Sequence, residues 1–160
     1  MCNPVTVFNP ERLILADSYL GYEYEVTCNG LAVRCGYVRI PAGHPWHGAD
    51  HWELDAQAHG GVNFSAPDRS CDKGGPDDAW WLGFDCGHAF DAFDPVLPGY
   101  EMFAELEARM GKIDDAWSLG SDFARKIRSL GYVARECRRL IWQADYAGSV
   151  LPWNRRLELV

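Results

Sequence analysis

The chain changes its hydrophobic period once, and that single change constrains the fold more than any other feature. From Tyr22 to Val26, aromatic or apolar residues alternate with Glu23 and Glu25, the period of a half-buried strand. Asn29-Gly30 follows and predicts a tight hairpin turn. Leu31 to Ile40 is then the expected partner strand, ending at Pro41, which lacks a ladder donor. Residues 42–51 read as a loop, and Trp52, Leu54 and Ala56 predict a short strand over 52–58. Val62 to Ser65 is read as extended chain, and the Pro-, Asp- and Gly-rich residues 66–78 as an exposed loop. Ala79 to Asp85 is nearly all apolar, which suits a central strand covered on both faces. After Pro98-Gly99 the period lengthens. Tyr100 to Met110 predicts a short helix closed by Gly111. A longer helix is expected from Ser121 as N-cap, with Phe123, Ile127, Leu130, Ala134, Cys137, Ile141 and Ala144 as its apolar stripe and Gly131 marking a break or kink between two helices. Strands first and helices after make an α+β domain, a mostly antiparallel sheet with C-terminal helices packed on one face. Residues 1–160 read as one domain, with its sheet over about 20–91 and its helices over about 100–146.

Composition narrows the class. Apolar residues make up 48% of the 160, enough for a core without staples. No apolar run approaches the roughly 18 residues that a bilayer span requires, and Met1 to Val7 has neither a basic start nor a long apolar stretch. A cytoplasmic protein with no membrane contact is the expectation. The six cysteines form no Cys-x-x-Cys pair, so they are expected to be reduced, mostly buried small hydrophobes. The net charge of −8 is uneven: residues 1–124 hold 7 basic and 20 acidic side chains, residues 125–160 hold 8 and 3. The acidic body argues against general nucleic-acid binding, because a polyanion is repelled. Arg135, Arg138 and Arg139 read as the solvated face of a helix.

All five histidines, His44, His47, His51, His59 and His88, fall within one 45-residue window. Asp85, Cys86, His88 and Asp91 follow the expected central strand, where a rigid element holds side chains and a loop gives access. His59 precedes Gly60-Gly61, which permits a sharp turn or a close approach. A His59, Asp85, His88 and Asp91 set suits one divalent ion, Zn, Mn or Fe, with Asp85 and His88 as catalytic candidates. Cys86 beside His88 also suggests an activated thiolate. The competing reading is structural: Cys86 inert in the core, His88 satisfying a carbonyl, Asp91 capping a turn. His44-x-x-His47-x-x-x-His51 has ligand-like spacing, but Pro45 opposes the helix that would align it. No phosphate-binding loop, dinucleotide fingerprint or nucleophile elbow is present.

Four strings, Cys35-Gly36-Tyr37-Val38, Pro41-Ala42-Gly43-His44-Pro45, His59 to Ser65, and Trp80 to Asp91, are distinctive in combination. Together with Tyr132 to Leu140 they resemble a widespread family of small bacteriophage proteins. In that family Thr tends to stand at the position of Asn63 and Gly at that of Phe90. A bulky Phe90 between His88 and Asp91 is expected to narrow an open site. The resemblance implies a phage or prophage origin and brings no activity with it.

Two functions follow from these features. The first is a small acidic phage accessory protein that binds a host protein or defence complex, such as a CRISPR–Cas inhibitor presenting carboxylates where phosphates would sit. Its expected surface is the acidic loop with Asp68, Asp72, Asp77 and Asp78, anchored by Trp80. The second is a metal-dependent hydrolase acting on a nucleotide or phosphate ester through His59, Asp85, His88 and Asp91.

Overall fold

A computed structural model describes residues 12–67, 80–110 and 125–149. Five strands, β1 (Leu13–Tyr19), β2 (Tyr22–Cys28), β3 (Arg34–Ile40), β4 (Phe64–Pro67) and β5 (Trp80–Asp85), form one sheet in the order β1-β2-β3-β5-β4. Every pairing in it is antiparallel. The alternation at Tyr22 and the apolar run at Trp80 both form the strands expected of them. β5 lies between β3 and β4, and Trp81, Leu82 and Phe84 are at most 1% exposed.

Three local expectations need correction. β1 is an additional strand. It is joined to β2 through Leu20 and Gly21, both at positive φ (50° and 83°), the geometry of a twisted two-residue hairpin turn. A leucine there costs roughly 1–2 kcal/mol, so the turn lacks the usual sequence signal. The β2–β3 connection is longer than a two-residue turn. The Asn29 N–H donates to the Val33 carbonyl (2.9 Å), and the Asn29 side-chain oxygen accepts from the Leu31 and Val33 N–H groups. This Asx-type loop delays β3 to Arg34. Residues 52–58 form no strand: Asp50 and Glu53 close a capping box around a 3-10 turn at His51–Glu53. Beyond it, the Gln57 N–H and carbonyl bond to the Gln143 side chain, which replaces a ladder partner.

Gly99, at φ +95°, ends the turn before helix α1 (Tyr100–Met110); a Cβ there would stand 2.4 Å from the Gly30 carbonyl oxygen. Helix α2 runs from Leu130 to Ser149. It starts later than its stripe suggested, because Lys126–Ile127 (β7) pairs in parallel with Asp91–Ala92 (β6). Ser129 is the cap, its hydroxyl accepting from the Tyr132 N–H (3.2 Å), so Gly131 sits in the first turn and marks no kink. Ser121 and Phe123 lie outside the described residues.

Helix α2 lays Val133, Cys137, Leu140, Ile141 and Ala144, each fully buried, on Tyr24, Val26, Val38, Ile40, Leu82 and Phe84 of the sheet. Gly36 makes this approach possible: a Cβ there would fall 2.5 Å from the Phe84 ring and 2.7 Å from Cys137 Sγ. The molecule is thus α+β, with the C-terminal helix on one face of an antiparallel sheet. Among the described residues no helix is long and apolar enough to cross a membrane.

Candidate metal centre

The end of β5 and the start of α2 meet at one cluster. The chain leaves β5 at Asp85, turns through Gly87 and His88, and re-enters extended structure at Asp91, whose N–H bonds back to the His88 carbonyl (2.9 Å). The parallel β6–β7 step, with the Lys126 N–H on the Phe90 carbonyl (3.0 Å), carries Arg128 alongside. There Arg128 Nε donates to Asp91 Oδ1 at 2.6 Å. Asp91 Oδ2 faces three donors: His59 Nε2 at 2.7 Å, His88 Nδ1 at 3.3 Å and the His88 backbone N–H at 3.1 Å. The Asp91 side chain is 1% exposed, that of His59 12% and that of His88 37%. The cluster is therefore closed behind Asp91 and open in front of His88.

Each imidazole is held for a physical reason. His59 Nδ1 lies 2.9 Å from the Tyr132 hydroxyl in the first turn of α2, with the two rings edge to face. The His88 ring lies on the backbone of Gly60, at φ +68°, where a Cβ would come within 2.0 Å of the ring. Arg128 is fixed in turn from below. Buried Arg34 donates to the Arg128 carbonyl (3.0 Å) and forms a 2.6 Å ion pair with Asp94. Arg128 and Arg135 both lie over the Tyr132 ring, at 5.0 and 5.5 Å from its centroid.

Burial pushes the Asp91 carboxyl upward, but bonds from His59, Arg128 and the His88 N–H outweigh it, and the group titrates below its ordinary value of 3.8. It is a carboxylate throughout the neutral range. Arg128 is raised in turn, chiefly by its bond to Asp91. Burial, helped by Glu136, raises Tyr132, which keeps its phenol neutral.

One donor atom each from His59, His88 and Asp91 lies within 4.8 Å of the others, so the group can hold a metal ion. Donors about 2.0–2.2 Å from a tetrahedral zinc stand about 3.3–3.6 Å apart. The His88–Asp91 separation is 3.3 Å, while His59 and Asp91, hydrogen-bonded at 2.7 Å, would have to open to admit the ion. With Nε2 of His59 on a metal, its Nδ1–H would donate to the Tyr132 hydroxyl, an oxygen acceptor in the place where a ligating imidazole more often has a carboxylate, carbonyl or water.

The other expected residues lie elsewhere. Asp85 is outside the cluster: its Oδ1 accepts from the Gly87 N–H (2.8 Å) and its Oδ2 from the Asn63 amide (2.5 Å). Strand alternation turns it away from α2, opposite Cys86. Cys86 is no activated thiolate. It is buried in the core at 2% exposure, and that burial pushes its thiol up to about 12. Phe90 is 53% exposed and faces solvent. His44 ties the loop to α2, accepting from the Trp46 N–H and bonding the Ala144 carbonyl through Nε2 (2.9 Å). His51 lies on Ser65 (3.1 Å) and His47 near the Trp80 ring, so these three share no centre. The Trp80 indole N–H donates to the Ala49 carbonyl (2.9 Å), which commits that side chain to the fold. Asp68, Asp72, Asp77 and Asp78 lie outside the described residues.

Arg128 and Tyr132 had no place in the sequence reading of the site. They stand 37 and 73 residues from their partners Asp91 and His59. The only sequence signal for them is their i, i+4 spacing within the C-terminal helical pattern. No protein-family model, curated protein or solved structure matches the chain.

Proposed function

We propose that the chain is a metal-dependent hydrolase that holds one divalent ion, Zn, Mn or Fe, through His59, His88 and Asp91. The observation that carries this reading is the convergence of two imidazoles and one buried carboxylate on a cluster open on the His88 side. Three protein ligands leave coordination positions for water and substrate. A bound ion of this kind supplies a hydroxide nucleophile near neutral pH and polarises the bond to be cleaved. The residues themselves do the rest. Tyr132 fixes the His59 ring, Gly60 gives the His88 ring its seat, and Arg128 orients Asp91.

The substrate class follows from charge. A divalent cation and the Arg128 guanidinium against one carboxylate leave the site positive, which favours an anion such as a phosphate ester or nucleotide. The test is elemental analysis of purified protein, with close to one ion per chain expected. His88→Ala should release the ion and lower the melting temperature, since a ligand that binds only the folded state stabilises it. A folded, metal-free protein whose melting temperature does not move when Zn²⁺, Mn²⁺ or Fe²⁺ is added sinks the proposal.

A second reading, a phage accessory protein that binds a host defence protein, draws on a different observation. Trp142 and Tyr146 are 60% and 66% exposed and stack on the outer face of α2, 6.3 Å between ring centroids. Exposed aromatics of this kind anchor protein interfaces. Affinity capture from an infected host, compared between wild type and Trp142→Ala, tests this reading: a retained partner that the variant loses supports it, and identical captures remove it.

A further inference from the structure

The sheet face turned away from α2 carries a second candidate site, independent of the metal reading. A cleft of about 500 Å³ opens there at the end of β5, within the size range of small-molecule pockets. Its floor is aromatic. Gly83 has no side chain, and the Tyr37 ring lies where one would be, 2.5 Å from a notional Cβ. Phe64 meets Tyr37 edge-on, with ring centroids 5.2 Å apart. Leu31 and Phe93 line the cleft from the β2–β3 loop and from the chain beyond β6. Cys35 adds a neutral wall, because burial pushes its thiol up to about 12.

Polar groups are few and oriented. Asp85 lines the cleft, each of its oxygens aligned by one donor, Gly87 N–H on Oδ1 and Asn63 on Oδ2. An oxygen of a carboxylate has a second lone pair, so both can still accept. Among the described residues no cation pairs with Asp85. Gly87 leaves room for the carboxylate, since a Cβ there would sit 3.1 Å from Oδ1 and press it aside. Asn29 also lines the cleft. Its oxygen is used by the Leu31 and Val33 N–H groups, which leaves its NH₂ as a donor.

We infer that this cleft binds a planar nitrogen heterocycle with two adjacent N–H donors beside a ring carbonyl, a guanine-type edge, packed against the aromatic lining of Tyr37, Phe64 and Phe93. The two oxygens of Asp85 accept from the paired N–H groups, and the Asn29 amide donates to the carbonyl. An adenine edge lacks the ring N–H and puts an acceptor in its place, against the carboxylate. Inosine retains the ring N–H and carbonyl but lacks the exocyclic amine.

Isothermal titration with guanosine, inosine and adenosine tests this on the intact chain. Guanosine should bind saturably, inosine at least tenfold more weakly, and adenosine without measurable heat. Asp85→Asn should weaken guanosine at least tenfold. Leu31→Trp, at a position 51% exposed, fills the cleft from its mouth without entering the core and should abolish binding even if the Asp85 variant fails to fold. Wild type should bind guanosine equally with and without a metal chelator, which separates this cleft from the metal centre. No guanosine binding by folded wild type at millimolar concentration, equal binding of adenosine, or unchanged binding by Leu31→Trp would each overturn the assignment.

Discussion

Asp91 concentrates the chemistry of the described site in one carboxylate. It is nearly fully buried and is held by an arginine, an imidazole and a backbone N–H. Its folded pKa lies below that of an unfolded aspartate, about 3.9. The stability it confers is therefore complete above that value and is lost as pH falls through the lower folded pKa. Urea unfolding should show wild type losing stability below about pH 4 more steeply than Asp91→Asn, and parallel curves would contradict this. Tyr132→Phe removes only the hydroxyl that orients His59. Loss of such an outer partner typically costs 10–100-fold in metal affinity. Competition with a chelator should report a drop of that order for Tyr132→Phe, with little change in the melting temperature of the metal-free protein. Gly60→Ala should do more damage, because its Cβ meets the His88 ring and its φ of +68° disfavours any side chain. A loss of about 1–3 kcal/mol in unfolding free energy is expected, together with loss of the ion.

At the scale of the element, α2 serves both core and site. Its buried stripe fixes the helix on the sheet, and its first turn delivers Tyr132 to His59. Ile141→Ala should cost about 2–5 kcal/mol in chemical denaturation, the usual range for a large-to-small change at a fully buried position. Gly36→Ala tests the same contact from the sheet side. Its Cβ has no room between the Phe84 ring and Cys137 Sγ, so the strand or helix must shift. Overpacking of this kind costs about 1–3 kcal/mol. Pairing Gly36→Ala with Cys137→Ala should recover part of the loss, and additive penalties would show that the two do not meet. The loop element is subtler. Asn29 spends its side-chain oxygen on two backbone donors, which lengthens the β2–β3 connection and sets the wall of the cleft.

Across the whole molecule the described cysteines behave as core. Cys28, Cys35, Cys86 and Cys137 are free and buried. Burial pushes Cys35 and Cys86 up to about 12 and raises Cys137 further. Thiolates are the reactive form, so these three should resist a thiol reagent in the native protein at pH 8 and react at once in guanidinium. Rapid native labelling of Cys86, mapped by mass spectrometry, would contradict the packing described for it. The sheet also divides the molecule's candidate functions. Alternation along β5 sends Cys86 to the helix side and Asp85 to the other, so two neighbouring residues serve the core and the cleft.

Periodicity by itself determined the class of this protein. Alternation at Tyr22, the apolar run at Trp80 and the three-to-four spacing from Leu130 to Ala144 each report a local burial pattern, and local burial is what a side-chain period encodes. The glycines after His59 likewise announced a close approach, which the His88 ring makes. The tertiary structure alone decided where α2 begins, because the β6–β7 pairing joins segments some 35 residues apart and overrides the helical spacing at Ile127. It also decided the membership of the site. Asp85 and Asp91 look equivalent in a seven-residue string, yet one caps Gly87 and the other faces His59. Arg128 and Tyr132 reach that site only through the packing of α2. A string of residues records which groups are available; which of them meet depends on long-range pairing, whose partners carry no local signature.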